Sequence, residues 1–505
     1  MKSFYQLVAF ILLSVNIYAQ QDYFNRRYDF NQSAIEAGKS ILLTDSGSIS
    51  VFATTNSIGL SGTLKVGLLL LNDTGLIQGS SIYSIPNHKF FIGGYGALLK
   101  ISNQTLILPG GTTDTLGNDD ALITRFDSLN ITWQHSYGDT QFQAGRAIKK
   151  TRDSGFILIG DEGPYNSSNS DVLMIKTDSN GIEQWTRNYG GQYSELGLDL
   201  DTCYDGGAIL CGRTRSFGIG ASIFWGNAYA IKTDSAGNEI WSRTFGHIYE
   251  DRFWSCLQAS DGNYVFAGFY TYYDPYWPNY CCRSFCKPYI VKLDTAGNTI
   301  WAKVYGEEKL EFQITSIKEL ANGDYISAGF LVDTSTTSFD YKGFILKTTS
   351  NGDSLWYRDY VSAFGPNSDS YLYDIAPDYD GGLLATGWVV PQIPDTGNQD
   401  IWILKVDSLG CEVANCLYTS TGEIIKNASQ GVNVYPNPST GIFYFQNNSN
   451  QETEKCELFD YTGKSVLNAE GAKDQIDLNS MAKGIYFYRV EMRNGNIYKG
   501  KLIKE

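Results

Sequence analysis

A short turn motif recurs seven times along the chain and constrains its fold more than any other feature. The motif is clearest in IKTDSNGIEQW (175–185), IKTDSAGNEIW (231–241) and VKLDTAGNTIW (291–301). Its turn position is occupied, at separations of 51 to 60 residues, by Asp73, Asp127, Asp178, Asp234, Asp294, Thr349 and Asp407. A fixed period of this length is typical of an array of one supersecondary unit.

A second motif, a turn followed by an apolar strand that ends in glycine, alternates with the first. Its best copies are DGGAILCG (205–212), DGNYVFAG (261–268), NGDYISAG (322–329) and DGGLLATG (380–387). Asp-Gly and Asn-Gly at such places predict tight hairpins, for which we expect positive φ at both central residues. Each repeat then contains four antiparallel strands, and radial packing of such sheets protects their edges. We therefore predict an all-β fold with a seven-bladed β-propeller over residues 20–416.

The chain also contains a segment that could close such a ring. The seventh repeat reaches Cys416 without a fourth strand that carries tryptophan, whereas FNRRYDF (24–30) resembles the fourth-strand segment WTRNYGG (185–191). We expect the N-terminal strand to complete the last blade.

The third and fourth strands of each repeat resemble those of quinoprotein-like, or delta-type, propellers. In that family the Asp-x-x-Gly-x-x-x-Trp segment docks neighbouring blades, so the resemblance implies a fold rather than an activity. Quinoprotein alcohol dehydrogenases carry a disulfide between adjacent cysteines, as Cys281-Cys282 would allow, but this sequence lacks a matching set of calcium-binding carboxylates. We expect no cofactor and no metal site, although calcium stays open. Asp199, Asp201 and Asp205 could suggest calcium, but their spacing misses the EF-hand pattern and Asp205 already opens a turn.

The N-terminus and the charge distribution indicate an exported protein. Residues 1–19 have a basic start, an apolar stretch and a small residue before the expected cleavage site, which is the pattern of a secretory signal peptide. The net charge of −15 becomes −16 once Lys2 is removed, and residues 432–505 hold nine basic and nine acidic side chains. The whole excess therefore lies on residues 20–431, which argues against a nucleic-acid partner. No segment of the mature chain is apolar enough to cross a membrane.

The C-terminal region has a different character from the repeats. A polar linker is expected over 417–431, followed by VNVYPNPSTGIFYF (432–445), LFDYTGKSV (458–466) and IDLNSMAKGIYFYRV (476–490). These blocks resemble the type A C-terminal sorting domain of the type IX secretion system of Bacteroidetes, and alternating strands between turns predict an Ig-like β-sandwich over 432–505. The resemblance implies a partner, the type IX translocon, and a secreted or outer-membrane-surface location. The residues that carry the motif are Tyr435, Pro436, Asn437, Pro438, Gly441, Gly463, Gly484 and Tyr486.

The longest loop between repeats carries the candidate ligand-binding residues. Exposed Tyr and Trp can stack on sugars or anchor a protein partner, although the same rings could instead form a small core of their own within the loop. These residues are Tyr270, Tyr273, Tyr276, Trp277 and Tyr280. Disulfides are expected between Cys281 and Cys286 and between Cys411 and Cys416.

The sequence leaves three functions open for the repeat region. The first is a non-catalytic module that binds glycan or protein, and we expect no catalytic residues. The second is a secreted enzyme that degrades polysaccharide or peptide in an acidic central channel, which would need paired carboxylates that converge in space. The third is a structural spacer at the cell surface.

Overall fold

Strands are the regular elements of the part of the chain that the computed structural model describes. That part is residues 23–30, 35–45, 47–55, 64–85, 89–113, 117–164, 169–219, 222, 224–272, 285–306, 310–333, 340–361, 369–390, 399–412, 432–435, 439–447, 452–460, 465–471, 475–493 and 497–504. The predicted signal peptide (1–19) and linker (417–431) lie outside these residues. The chain divides into two compact units, Met1–Ser420 and Thr421–Glu505.

The first unit is a succession of strands. In chain order they are β1 (Phe24–Tyr28), β2 (Ile35–Thr44), β3 (Gly47–Thr55), β4 (Leu64–Leu71), β5 (Ile77–Tyr83), β6 (Lys89–Ile92), β7 (Leu99–Lys100), β8 (Thr105–Thr113), β9 (Asp119–Asp127), β10 (Asn130–Tyr137), β11 (Phe142–Lys150), β12 (Phe156–Gly163), β13 (Asp171–Thr177), β14 (Glu183–Tyr189), β15 (Glu195–Thr202), β16 (Ala208–Thr214), β17 (Asn227–Thr233), β18 (Glu239–Phe245), β19 (Arg252–Gln258), β20 (Tyr264–Tyr272), β21 (Phe285–Leu293), β22 (Thr299–Val304), β23 (Leu310–Glu319), β24 (Tyr325–Asp333), β25 (Asp340–Thr348), β26 (Ser354–Tyr360), β27 (Asp369–Pro377), β28 (Leu383–Val390) and β29 (Asp400–Val406).

These strands form seven antiparallel sheets. Sheets 1 to 6 are β2–β5, β6–β10, β11–β14, β15–β18, β19–β22 and β23–β26, and sheet 7 is β27–β29 with β1 at its edge. The first strands of sheets 3 to 7 contact one another in order, β27 also contacts β2, and sheet 2 contacts β4 on one side and β11 on the other. The succession of contacts thus returns from sheet 7 to sheet 1, and the fold is all-β and propeller-like.

The N-terminal strand closes this succession, as the sequence predicts. β1 pairs with β29 from Phe24 opposite Lys405 to Tyr28 opposite Ile401. Sheet 7 is therefore built from both ends of the unit.

In six of the seven sheets the fourth strand, which is β1 in sheet 7, docks on a turn glycine of the next sheet. An aromatic ring lies so close to that glycine that an added Cβ would come within 3.0 Å of it, in the pairs Trp133–Gly181, Trp185–Gly237, Trp241–Gly297, Trp301–Gly352, Trp356–Gly410 and Phe24–Gly75. A tyrosine hydroxyl of most of these strands also donates to the same glycine's carbonyl oxygen, in Tyr137–Gly181, Tyr189–Gly237, Tyr305–Gly352, Tyr360–Gly410 and Tyr28–Gly75. The docking role implied by the family resemblance is therefore present in this chain, with Phe24 in place of tryptophan.

The Asp-Gly hairpins differ from the expectation in one respect. Gly206 has a φ of 87°, whereas the φ of Asp205 is not positive. The Gly206 N–H bonds the Cys203 carbonyl at 2.9 Å, and the Cys203 N–H bonds the Gly207 carbonyl at 2.8 Å. This is a type I turn followed by one left-handed glycine, which needs positive φ at one residue only. The expectation of two such residues was wrong.

The repeat aspartates serve backbone geometry. Asp178 Oδ1 accepts the N–H groups of Asn180 and Ile182 at 2.8 and 2.9 Å. In the first repeat the equivalent contacts are made by Asn72, not by Asp73 as the sequence suggested. The repeated lysine before the turn is buried and pairs with the other hairpin turn of its own sheet, in Lys176–Asp153, Lys232–Asp205, Lys292–Asp261 and Lys405–Asp378.

The second unit contains two small sheets over one core. Its strands are β30 (Val432–Tyr435), β31 (Ile442–Asn447), β32 (Thr453–Asp460), β33 (Ser465–Glu470), β34 (Gln475–Asp477), β35 (Gly484–Met492) and β36 (Ile497–Lys504). They pair in the orders β30-β31-β34 and β33-β32-β35-β36. Phe443 of the first sheet and Leu458 and Tyr488 of the second belong to the same buried cluster.

Candidate functional site

A β-bulge occurs at the same place in the first strand of six sheets. The residue that the bulge leaves without a partner is Lys39, Arg146, Leu198, Trp254, Thr315 or Tyr373. Bulges re-aim side chains and are common next to functional sites. Because these strands contact one another in order, the bulges bring side chains from several sheets to one level of the unit.

Sheet 2 contributes a loop instead of a bulge. Between β6 and β7 the chain reads GGYGA, and this axial segment (residues 93–97) lies against strands of sheets 1, 3, 4 and 7. A Cβ on Gly93 would lie 2.4 Å from the carbonyl oxygen of Arg146, so only glycine lets the segment pass this strand. The segment therefore lies among the first strands of these four sheets, and it carries Tyr95 there.

Tyr95 is the centre of a cluster of aromatic rings and one cation. Its ring stacks on that of Tyr373, with centroids 4.1 Å apart, and lies 5.4 Å from Trp254. The Lys39 ammonium lies 4.9 Å from the Tyr95 centroid and 4.5 Å from that of Tyr373. We call Lys39, Tyr95, Arg146, Trp254 and Tyr373 the axial site.

The cations around the axial site differ in their partners. Arg146 donates two hydrogen bonds to Asp161 Oδ2, at 2.9 and 2.7 Å. Arg252 donates to Glu250 at 2.8 Å, and its guanidinium lies 4.8 Å from the Trp254 ring. No carboxylate in the described ranges pairs with Lys39, and burial, aided by Arg146, lowers the pKa of its ammonium to about 8. Lys39 is therefore the cation of this site that lacks a counter-charge.

Aromatic rings extend the site towards one edge. Tyr371 stacks on Trp388 with centroids 4.1 Å apart and on Tyr341 at 4.8 Å, and Phe330 lies 4.6 Å from Tyr371. We call these four residues the aromatic wall. The Trp388 indole N–H donates to the Tyr373 hydroxyl at 2.7 Å, which joins the wall to the axial site. Trp388 lies two residues before β28 ends.

Several buried donors near the site lack acceptors. Within the described residues, Arg252 Nε, Trp254 Nε1 and Arg213 Nε are buried and have no hydrogen-bond partner. Arg213 shares Glu250 with Arg252. An unmet buried donor costs about 1–3 kcal/mol, so these groups favour a ligand rich in oxygen acceptors.

The carboxylates deeper along the same strands are already engaged. Asp199 accepts hydrogen bonds from Ser255 Oγ and the Cys256 N–H, at 2.8 and 3.1 Å. Asp374 accepts from Ser316 Oγ at 2.8 Å and from Ser40 Oγ at 3.1 Å. Each carboxylate thus ties its own first strand to that of another sheet, a structural role.

The calcium candidates read from the sequence have other partners. Asp199 is bonded as above, Asp201 accepts the Gln258 N–H at 2.9 Å, and Asp205 pairs with Lys232. These contacts give the three aspartates structural roles.

The loop residues expected to bind ligand are only partly described. Tyr270 is half-buried and packs on Tyr289, with ring centroids 5.6 Å apart. Tyr273, Tyr276, Trp277, Tyr280 and Cys281 lie outside the described residues. Cys286 Sγ lies 3.6 Å from Thr271 Oγ1. Cys411 is disulfide-bonded, and its expected partner Cys416 is outside the described ranges.

The residues of the C-terminal motif support local geometry. Tyr486 is buried and donates to the Ala482 carbonyl at 2.7 Å. Tyr435 is exposed and stacks on Tyr444, and the Gly441 N–H donates to Ser439 Oγ. Gly484 begins β35 with a φ of 149°. Pro436, Asn437, Pro438 and Gly463 lie outside the described residues.

The axial site and the aromatic wall were missed from the sequence. The interruption of the second repeat by Gly-Gly-Tyr-Gly was the available signal, because such a run inside a strand pattern indicates close backbone approach. The bulges left no signal, since their residues share neither type nor polarity.

Residues 433–505 match the protein family described as Secretion system C-terminal sorting domain. The match confirms that this region is a C-terminal sorting domain, and it indicates a cargo of type IX secretion that is exported to the cell surface or the extracellular space. No helix in the described part of the chain is long and apolar enough to cross a membrane.

Three solved structures resemble this chain at low sequence identity. PorZ of Porphyromonas gingivalis, an essential surface component of the type IX secretion system, is 13% identical at a TM-score of 0.27, covering 92% of this chain and 70% of that one. A fungal alcohol oxidase in complex with copper is 11% identical at 0.45, covering 95% and 99%. An ulvan lyase bound to -[GlcA(1-4)Rha3S]- is 9% identical at 0.44, covering 73% and 91%. A search of curated proteins found no match.

Proposed function

We propose that this chain is a type IX secretion cargo of a Bacteroidetes bacterium whose first unit binds acidic saccharide without turning it over. In this proposal residues 1–19 are a signal peptide, 20–416 a seven-bladed propeller, 417–431 a linker and 432–505 an Ig-like sorting domain. The seven successive sheets and the clasp by β1 support the propeller, and the family match supports the sorting domain.

The observation that carries the ligand class is the position of Lys39. Its ammonium lies over two aromatic rings, lacks a carboxylate partner and sits next to Arg146. A carboxylate or sulfate on a ligand would supply the missing counter-charge, and charge-assisted hydrogen bonds are about twice as strong as neutral ones.

The surrounding groups favour a sugar as the carrier of that charge. Trp254 and the aromatic wall offer ring faces on which a sugar can stack, and the unmet donors of Arg252 and Trp254 can bond hydroxyl oxygens. Binding sites of this kind combine apolar walls with a few placed polar groups.

An enzymatic role has less support. General acid–base cleavage of a glycosidic bond needs a carboxyl pair that is available to substrate. Asp161, Asp199 and Asp374 instead accept hydrogen bonds from Arg146 or from neighbouring strands. These contacts favour binding over hydrolysis.

The test is calorimetric titration of the chain with oligogalacturonate, a sulfated oligosaccharide and a neutral oligosaccharide of equal length. We expect binding of an acidic ligand, and Lys39→Met should weaken it at least about tenfold, because a hydrogen bond to a charged group contributes about 1.5–3 kcal/mol. Trp254→Ala should weaken both acidic and neutral ligands. Tyr379→Ala is the matched control, since Tyr379 is 72% exposed and lies on the turn before β28.

Three outcomes would contradict the proposal. Equal affinity of Lys39→Met and the unaltered chain for acidic ligand would remove Lys39 from the site. Release of reducing ends during the titration would indicate an enzyme, and binding of a protein but of no saccharide would indicate a protein-recognition module.

A further inference from the structure

The closure of the ring brings three carboxylates together. Asp29 follows β1, Glu36 lies in β2, and Asp400 begins β29. One oxygen from each lies within 4.8 Å of the others. This clasp cluster joins the last sheet to the first.

Glu36 is a buried member of the cluster whose carboxylate has one oxygen without a hydrogen-bond partner. It is 1% exposed, and its Oε2 accepts the Phe30 N–H at 3.0 Å. Its Oε1 is buried and has no hydrogen-bond partner. A buried carboxylate oxygen without a partner is costly, so a ligand that binds this atom would stabilise the folded chain.

The charges of the cluster do not balance. Arg27 Nε lies 3.3 Å from Asp400 Oδ2 and compensates one carboxylate. Among the described residues, these three carboxylates stand against this one guanidinium, which leaves two negative charges.

We propose that the clasp cluster binds one calcium ion, held by carboxylate oxygens of Asp29, Glu36 and Asp400. A divalent cation matches the two uncompensated charges, and calcium accepts irregular sets of carboxylate, carbonyl and water oxygens. Magnesium suits the site less, because it demands near-ideal octahedral geometry and gives up its waters reluctantly. The ion would tie β1 to β2 and β29 and so lock the ring.

The test follows thermal unfolding of the full chain, stripped with a chelator, at increasing concentrations of calcium or magnesium. A ligand that binds only the folded state raises the midpoint as the logarithm of its concentration above its dissociation constant. We expect such a rise with calcium in the range of about 0.1–1 mM typical of extracellular sites. Glu36→Gln and Asp29→Asn should abolish or strongly reduce the rise. Glu239→Gln, which removes the same charge from an exposed position on β18, should keep it.

Either of two results would overturn the proposal. One is a midpoint that does not respond to millimolar calcium in the unaltered chain. The other is a calcium response of unchanged size in Asp29→Asn, a variant at an exposed position that should fold even if Glu36→Gln does not.

Discussion

The hydroxyl of Tyr28 donates a hydrogen bond of 2.7 Å to the carbonyl oxygen of Gly75. The same bond joins Tyr360 to Gly410 at 2.8 Å, between sheets 6 and 7. A strand from the N-terminus therefore makes the contact that elsewhere joins consecutive repeats. The interface between sheets 7 and 1 is equivalent to the others, although its two sides are far apart in sequence.

Tyr28→Phe removes this hydrogen bond and leaves the ring in place. We expect a loss of about 1 kcal/mol in the free energy of unfolding, the usual net value for one buried hydrogen bond. Urea denaturation of Tyr28→Phe and of Tyr360→Phe gives the loss of unfolding free energy at the interface of sheets 7 and 1 and at that of sheets 6 and 7. A cost at Tyr360 without any cost at Tyr28 would contradict the equivalence of the clasp.

Gly75→Ala tests the contact of this turn with Phe24. Gly75 has a φ of 75°, and a Cβ there would lie 2.8 Å from the Phe24 ring. Gly262→Ala is the matched control, because Gly262 has a φ of 86° but nothing within 4 Å of the added atom. We expect about 1–2 kcal/mol of backbone strain in both variants and a further ~1–3 kcal/mol of overpacking at Gly75 only. Equal urea midpoints for the two variants would show that Phe24 does not pack on this turn.

The proposed binding should depend on pH through Lys39. Its folded-state pKa of about 8 lies below the ordinary value, because burial disfavours the ammonium and Arg146 adds repulsion. Affinity for an acidic saccharide should therefore fall as the pH rises through about 8. The same shift has the opposite effect on stability. Between pH 8 and the ordinary lysine pKa of about 10.4, Lys39 keeps its proton in the unfolded chain but loses it in the folded chain, so the free energy of unfolding rises with pH.

Calorimetry between pH 6.5 and 9.5 measures this dependence. The groups facing Lys39 are Arg146, Tyr95 and Tyr373, and burial raises the pKa of both tyrosines, so they stay neutral in this range. In Lys39→Met the affinity for an acidic saccharide should no longer depend on pH. The affinity of the unaltered chain for a neutral saccharide should not depend on pH either. A profile of unchanged shape in Lys39→Met would assign the titration to another group.

Acid stability should depend on the pairs between the repeated lysines and the hairpin turns. Hydrogen bonds from Lys176 and Thr151 lower the pKa of Asp153 to about 2. A carboxylate with a lowered pKa stabilises the fold above its unfolded pKa of about 3.9, and this contribution is lost as the pH falls towards 2. Asp153→Asn should therefore lower the urea midpoint at pH 7 more than at pH 2.5. Asp73→Asn, which removes a carboxylate from an exposed turn position, is the matched control and should lower the urea midpoint little at pH 7.

Sequence periodicity was enough to predict the strands, their grouping in fours in six of the seven sheets, and the role of the N-terminal segment. These features depend on turn-forming residues and on the alternation of apolar residues, both of which occur within short contiguous segments such as IKTDSAGNEIW. The C-terminal motif was equally readable, because its blocks occur in a fixed order. The error at Asp73 arose because Asn72 can supply the same side-chain oxygen one residue earlier.

Tertiary structure alone decided where the sites lie. Lys39, Tyr95, Trp254 and Tyr373 come from sheets 1, 2, 5 and 7, and only the packing of first strands around a common centre brings them together. Lys39, Trp254 and Tyr373 meet Tyr95 because a bulge shifts the register of their strands, and a bulge has no fixed residue type. Asp29, Glu36 and Asp400 likewise converge only when the two ends of the first unit pair. The sequence by itself therefore determined the repeating elements, whereas long-range strand pairing decided which side chains share a site.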